Sequence, residues 1–131
     1  MEVIHTCYRV IDLERSRRFY TALGFEARGT LGIGTEATNL YLGLPGDGDR
    51  VELTCNHGRE EPYELGTGYG HIAMTVRDLD ATLGALAEQG ITPERAPYRV
   101  NDSGSSICFV RDPDGYRIEL IEEGDGDAAG R

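Results

Sequence analysis

His5-Thr-Cys-Tyr-Arg-Val10 and His71-Ile-Ala-Met-Thr-Val76 are two versions of one stretch. Each opens on a histidine and runs through a strand-like segment to a valine. Each leads into x-Asp-Leu, at Asp12-Leu13 and Asp78-Leu79, and then meets a glycine, Gly24 or Gly90. The offset is 66 residues throughout. Further along, Val51-Glu-Leu-Thr54 matches Ile118-Glu-Leu-Ile121 at an offset of 67. Similarity at a fixed period marks a duplicated unit. The chain therefore reads as two tandem modules, residues 1–60 and 61–124. Residues 125–131 follow without an apolar anchor and are expected to form a flexible tail.

Each module has the same expected layout, β-α-β-β-β, which gives an α+β fold. In the first, a strand over Ile4–Val10 leads to Asp12, whose carboxylate can accept from free N–H groups at a helix start. A helix with the apolar stripe Leu13, Tyr20 and Leu23 should run to Gly24, a suitable stop. Strands are expected over Glu26–Gly29, Ala37–Leu44 and Arg50–Cys55, the last two joined by the turn-rich Pro45-Gly-Asp-Gly-Asp49. In the second module the cap is Asp78, the stripe is Leu79, Leu83 and Leu86, and the stop is Gly90. Its clearest strand pair is Ser105–Arg111 and Tyr116–Glu122, joined by Asp112-Pro-Asp-Gly115. Neither module is large enough to bury a full sheet face alone, so the two sheets are expected to curl around a shared cavity.

The net charge of −10 argues against a nucleic-acid or anionic-membrane partner, because phosphates would be repelled. No stretch is apolar for long enough to cross a bilayer. The N-terminus does not read as a signal peptide, and a cytoplasmic address is expected. Cys7, Cys55 and Cys108 are odd in number and widely spaced, which fits neither a disulfide framework nor a CxxC metal site. They are expected as small buried residues on strands, although Cys7 shares the alternation parity of His5 and could instead touch a ligand.

The repeat also supplies chemistry. Each module carries one His at the start of its first strand and one Glu within its last: His5, Glu52, His71 and Glu119. Imidazole and carboxylate together suit first-row transition metals. A Glu inside an apolar strand, as in Val51-Glu-Leu53 and Ile118-Glu-Leu120, is costly to bury without a partner, and a metal would provide one. Two equivalent His–Glu pairs converging on one point would make a four-ligand site. His57 has no repeat counterpart, follows Asn56 in a loop, and is not assigned to the metal.

At these residues the sequence resembles glyoxalase I, lactoylglutathione lyase, of the vicinal oxygen chelate superfamily. The resemblance covers nearly the whole chain. It is carried by His5-Thr-x-x-Arg-Val10, Phe19-Tyr-Thr21, Val51-Glu-Leu-Thr-x-Asn56, Tyr63-Glu-Leu-Gly66, Tyr69-Gly-His-Ile72 and Asp112-Pro-Asp-Gly-Tyr-x-Ile-Glu-Leu120. It implies isomerisation of the hemithioacetal of methylglyoxal and a thiol to an S-lactoyl thioester, with one divalent metal per site acting as a Lewis acid. Glu119 matches the main base that takes the C1 proton, and Glu52 matches the second metal-bound Glu, serving the opposite face. Arg9 and Asn56 match residues that hold the thiol cosubstrate through its carboxylate and peptide.

The short chain is similar to the nickel- or cobalt-preferring form, with zinc also admitted by the ligand set. His5 points the same way, because the zinc-preferring animal enzymes have Gln there. The resemblance further implies a homodimer, in which His5 and Glu52 of one chain meet the partner's His71 and the partner's Glu119. One departure lies in the loop Arg95–Gly104. Asn101 falls where the family usually has a Lys, with Arg95 or Arg99 as candidates to compensate, so the thiol is either glutathione or a different one such as mycothiol.

Three rival readings use the same fold. A methylmalonyl-CoA epimerase shares the proton abstraction. An extradiol dioxygenase needs only two His and one carboxylate, which the fourth candidate, Glu52, argues against. A metal-free antibiotic-binding module tends to lose the ligand set, whereas this chain keeps all four.

Overall fold

The computed structural model describes residues 1–102 and 104–124, and the expected tail 125–131 lies outside them. The chain divides into two compact units, Met1–Glu64 and Leu65 onward. Among the described residues there are two helices and eight strands in two four-stranded sheets.

The first unit runs β1 (Thr6–Val10), α1 (Leu13–Ala22), β2 (Glu26–Ile33), β3 (Ala37–Gly43) and β4 (Val51–Asn56). Its sheet order is β1-β4-β3-β2, with β1 parallel to β4 and the remaining pairs antiparallel. The second unit runs β5 (Ile72–Val76), α2 (Leu79–Ala87), β6 (Tyr98–Arg99), β7 (Ser106–Arg111) and β8 (Arg117–Glu122). Its order is β5-β8-β7-β6, with the same sense at each pair. The repeat read from the sequence is thus a repeat of topology.

Both helices start as their sequences dictate. Asp12 accepts from the backbone N–H of Arg15 at 3.0 Å, and Asp78 accepts from that of Ala81 at 3.0 Å. Each cap satisfies a donor that the first turn leaves without a helical partner. Each helix ends in a glycine of positive φ, Gly24 and Gly90, a conformation that costs glycine little.

The buried stripe of α1 differs from the expected one. Ser16, Phe19 and Tyr20 are buried in α1 and Leu23 at its C-cap, whereas Leu13 is half-buried. In α2, Leu79 and Leu86 are buried and Leu83 is half-buried. These helical residues join Val10, Leu40, Leu42, Val51 and Leu53 in the first unit. In the second they join Met74, Val76, Cys108, Val110, Ile118 and Leu120. Because strand side chains alternate, each unit buries one sheet face in its apolar core and leaves the other face to different work.

The largest departures from the expected strand limits are in β1 and β2, and the other expected strands agree to within one residue at each end. β1 begins at Thr6, so His5 stands just ahead of the ladder, whose first N–H, that of Thr6, donates to the Arg50 carbonyl at 3.1 Å. β2 continues past Gly29 to Ile33, because the register shift between Ala27 and Thr30 absorbs Gly29 at φ 135° as an irregularity. β6 is only two residues long, since Pro97 and the polar run after Val100 offer little to a ladder. The cysteines also differ from the expectation of burial. Cys108 is buried, Cys55 is half-buried and Cys7 is exposed, and all three are free thiols. Cys7 alternates onto the face of His5, away from the core.

Candidate active site

The strand register assembles each His–Glu pair. Cys7 is the partner of Glu52 across β1 and β4. His5, two residues before Cys7, therefore shares the face of Glu52. His5 Nε2 lies 3.0 Å from Glu52 Oε2. In the second unit Ala73 is the partner of Glu119 across β5 and β8, and His71 stands two residues before it. His71 Nε2 lies 3.1 Å from Glu119 Oε1. Glu119 is only 4% exposed, and a carboxylate so far from water needs a partner. Each unit thus places one imidazole nitrogen and one carboxylate oxygen side by side on the face opposite its core. That donor set fits a first-row divalent metal. Among the described residues no three His, Cys, Asp or Glu side chains stand together to hold a metal ion, so each unit by itself offers two donors.

Two aromatic residues that sequence reasoning missed complete the pairs. Tyr41 is the register partner of Glu52, and its ring lies 6.0 Å from that of His5 at an interplanar angle of 64°. Phe109 is the register partner of Glu119, and its ring lies 5.1 Å from that of His71 at 81°. In both units a ring on the middle strand meets the imidazole edge-on, an arrangement that favours one ring orientation. The signal was available, because Tyr41 and Phe109 fall at corresponding places in the two repeats.

The first unit gathers further polar groups on the site face. Arg9 is opposite Thr54, and Asn56 lies two residues beyond Thr54. Cys7 Sγ is 3.2 Å from Thr54 Oγ1, and that hydroxyl donates to Asn39 Oδ1 at 2.7 Å. Partial burial pushes the Cys7 thiol up, and the Glu52 carboxylate adds to the effect. Asn56 Nδ2 donates to the Tyr63 hydroxyl at 2.9 Å, and the Arg59 guanidinium lies 4.0 Å over the Tyr63 ring. His57 is held by the Thr38 hydroxyl at 2.8 Å and the Thr35 carbonyl at 2.9 Å. It is exposed, as expected of a loop residue outside the ligand set.

An arginine precedes Glu52 and Glu119 by two residues, and each is gripped by another acid. Arg50 donates from Nε and Nη2 to Asp47 at 3.0 and 2.8 Å. Arg117 donates from the same two nitrogens to Glu94, both at 2.9 Å. The Arg50 pairing brings the exposed Asp47 carboxyl down to about 2, and Arg117 holds Glu94 below the ordinary carboxylate range. In the loop before β7, the Arg95 guanidinium stacks 3.8 Å over Tyr98, and Arg99 donates to the Asp102 carbonyl at 3.2 Å.

Sequence and fold comparisons identify the kin of this site. A family model described as "Glyoxalase/Bleomycin resistance protein/Dioxygenase superfamily" matches residues 2–120. The lactoylglutathione lyase of Haemophilus influenzae is 43% identical over 127 residues, covering 93% of each chain. That of Escherichia coli O157:H7 is 41% identical over 129 residues, covering 95% of each. The chain belongs to the glyoxalase I family of this superfamily.

Solved glyoxalase I structures share the fold. The Zea mays protein superposes with a TM-score of 0.84 at 34% identity, over 93% of this chain and 44% of its own. The trypanothione-dependent Leishmania major glyoxalase I gives 0.79 at 32%, over 94% and 87%. This chain also spans only 44% of a putative lactoylglutathione lyase of Brassica oleracea var. gemmifera, 38% identical to it. Relatives in this family are thus lyases by name, some of similar length and some about twice as long. Among the described residues no helix is long and apolar enough to cross a membrane.

Proposed function

We propose that the chain is a glyoxalase I-type lyase that converts the hemithioacetal of methylglyoxal and a thiol into an S-lactoyl thioester. The observation that carries this reading is the pair of equivalent His–Glu contacts, 3.0 and 3.1 Å, on the non-core faces of the two units. His5, Glu52, His71 and Glu119 would hold one divalent ion, nickel or cobalt in preference to zinc. When bound, the ion supplies Lewis acidity toward the substrate oxygens and so makes the C1 proton easier to remove.

The rest of the chemistry belongs to the chain. Glu119 takes the proton from C1, the C–H pair forms a C1=C2 double bond, and the π pair of the C2 carbonyl moves onto its oxygen. A proton then returns to C2, the C1 hydroxyl proton is passed to the C2 oxygen, and C1 is left as the thioester carbonyl and C2 as an alcohol, so oxidation at C1 and reduction at C2 balance within the substrate. Glu119 suits the task because its carboxylate is withdrawn from water, where a base is less well solvated. Glu52, the more exposed of the two, serves the opposite face of the substrate.

Arg9 binds a carboxylate of the thiol, and Asn56 accepts from or donates to its peptide. The relatives, lactoylglutathione lyases, carry glutathione in their name, which favours it as the cosubstrate. With Asn101 in the loop and Arg95 and Arg99 engaged locally, a mycothiol-like thiol is the competing cosubstrate. A reducing cytoplasm, where such thiols are kept, suits a chain whose three cysteines are free.

The working form in this proposal is a homodimer. The site face of the first unit carries exposed Leu31 and Ile33, aligned by register with Asn39 and Ala37, and such an apolar strip calls for a cover. A second copy supplies it, joining His5 and Glu52 of one chain to the partner's His71 and the partner's Glu119.

The test is thioester absorbance with methylglyoxal and either glutathione or mycothiol, on protein stripped of metal and reloaded with nickel, cobalt or zinc. Thioester should form only after reloading. Equal activity in the stripped protein, or none with any thiol and any metal, refutes the proposal.

A further inference from the structure

Arg117 and Glu119 lie two residues apart on one face of β8, about 7 Å along the strand. An arginine at that distance is long enough to reach the carboxylate. It is held elsewhere. Glu94 takes both Nε and Nη2 of Arg117 at 2.9 Å. The guanidinium carbon of Arg117 rests 3.9 Å above the Phe109 ring, whose own neighbour is His71. Glu94 is fixed beside that ring by its backbone N–H, which donates to the Phe109 carbonyl at 2.9 Å. Its second cation is Arg111, 2.9 Å away, which is also tied to the Gly115 carbonyl at 3.1 Å. The first unit repeats the device: Arg50, two residues before Glu52, is gripped by Asp47. A fork-to-fork pair of this kind is directional and strong among ion pairs.

We propose that Glu94 is a positioning residue for the second His–Glu pair, holding Arg117 on Phe109 so that its guanidinium does not compete with a metal ion for the Glu119 carboxylate. The inference rests on the reading of Glu119 as a metal ligand. An arginine released onto Glu119 would compete with the metal for the same oxygens. It would also leave the Phe109 ring that orients His71.

The experiment measures nickel affinity of the metal-free protein by calorimetry in four forms: wild type, Glu94→Gln, Arg117→Gln and the double variant. Glu94→Gln should bind nickel about tenfold more weakly. Adding Arg117→Gln should restore most of that loss, because the competing cation is gone. Wild-type affinity in Glu94→Gln, or a double variant as weak as Glu94→Gln, overturns the proposal. A crystal structure of metal-free Glu94→Gln gives a separate readout. Arg117 is expected within hydrogen-bond distance of Glu119, and a guanidinium still stacked on Phe109 overturns the proposal whether or not the wild type binds nickel. Wild-type protein that binds no nickel, or binds it unchanged after Glu119→Ala, overturns the metal-site reading itself.

Discussion

Phe109 sits directly across the ladder from Glu119. The acid that would hold a metal and the ring that orients its histidine are therefore placed by one backbone register. The same relation joins Tyr41 to Glu52. Each His–Glu pair is set by strand register, and disturbing its neighbours one at a time tests what each contributes.

Replacing Phe109 with Leu keeps an apolar side chain but removes the ring edge at His71 and the platform under Arg117. The cost should be about 1 kcal/mol in stability. Thermal unfolding of the metal-free protein measures it. An unchanged midpoint would show that the ring contacts contribute nothing.

Glu119→Gln separates proton transfer from ligation. The amide still offers an oxygen to a metal but cannot accept the C1 proton. Turnover should fall by about 100-fold or more, with a smaller loss of metal affinity. Steady-state rates on metal-loaded protein decide it, and wild-type turnover would remove Glu119 from the role of base.

Asn56 and Tyr63 should act together on the thiol. The hydroxyl of Tyr63 accepts from Asn56 Nδ2 and so fixes which way the carboxamide faces. Asn56→Ala should raise KM by about tenfold with little change in kcat, and Tyr63→Phe should raise it by about threefold. A fall in kcat at constant KM in either variant would contradict a binding role.

Glu94 carries a pH dependence of known sign. Its folded carboxyl lies below the ordinary value of 4.5, first through the hydrogen bond from Arg117 and further through the charges of Arg117 and Arg111. A depressed carboxyl stabilises the fold above its ordinary pKa, and the contribution is lost as pH falls through the folded value. Wild type should therefore exceed Glu94→Gln by about 1 kcal/mol near neutrality. The two should converge as the solution is acidified from pH 4.5 downward. Unfolding curves across that window check it, and a constant difference would mean that Glu94 stabilises by some route other than its charge.

Much of this architecture was legible because the duplication writes each signal twice. Asp12 and Asp78 are both caps, Gly24 and Gly90 are both stops, and His5 and Glu52 recur as His71 and Glu119 at offsets of 66 and 67 residues. What escaped notice was whatever depends on pairing between strands. Tyr41 and Phe109 gain their place only from the register, which sets each opposite a Glu. For Cys7 the apolar run and the parity with His5 pointed to different faces, and its exposure follows the parity. The clamps on Arg50 and Arg117 were hidden because Asp47 lies in a turn and Glu94 lies 23 residues from its arginine. β6, for which no limits were legible, is two residues long, because Pro97 and the polar loop after it give no alternation to read.

The central claim is that one pair from each unit completes a single centre across two chains. The direct measurement is the activity recovered when metal-loaded His5→Ala and His71→Ala proteins, each inactive alone, are unfolded and refolded together. Random pairing makes half of the dimers mixed, and each mixed dimer has one intact site of two, so recovery should approach about one quarter of wild-type activity. A mixture that stays inactive after subunit exchange has been demonstrated would contradict the account.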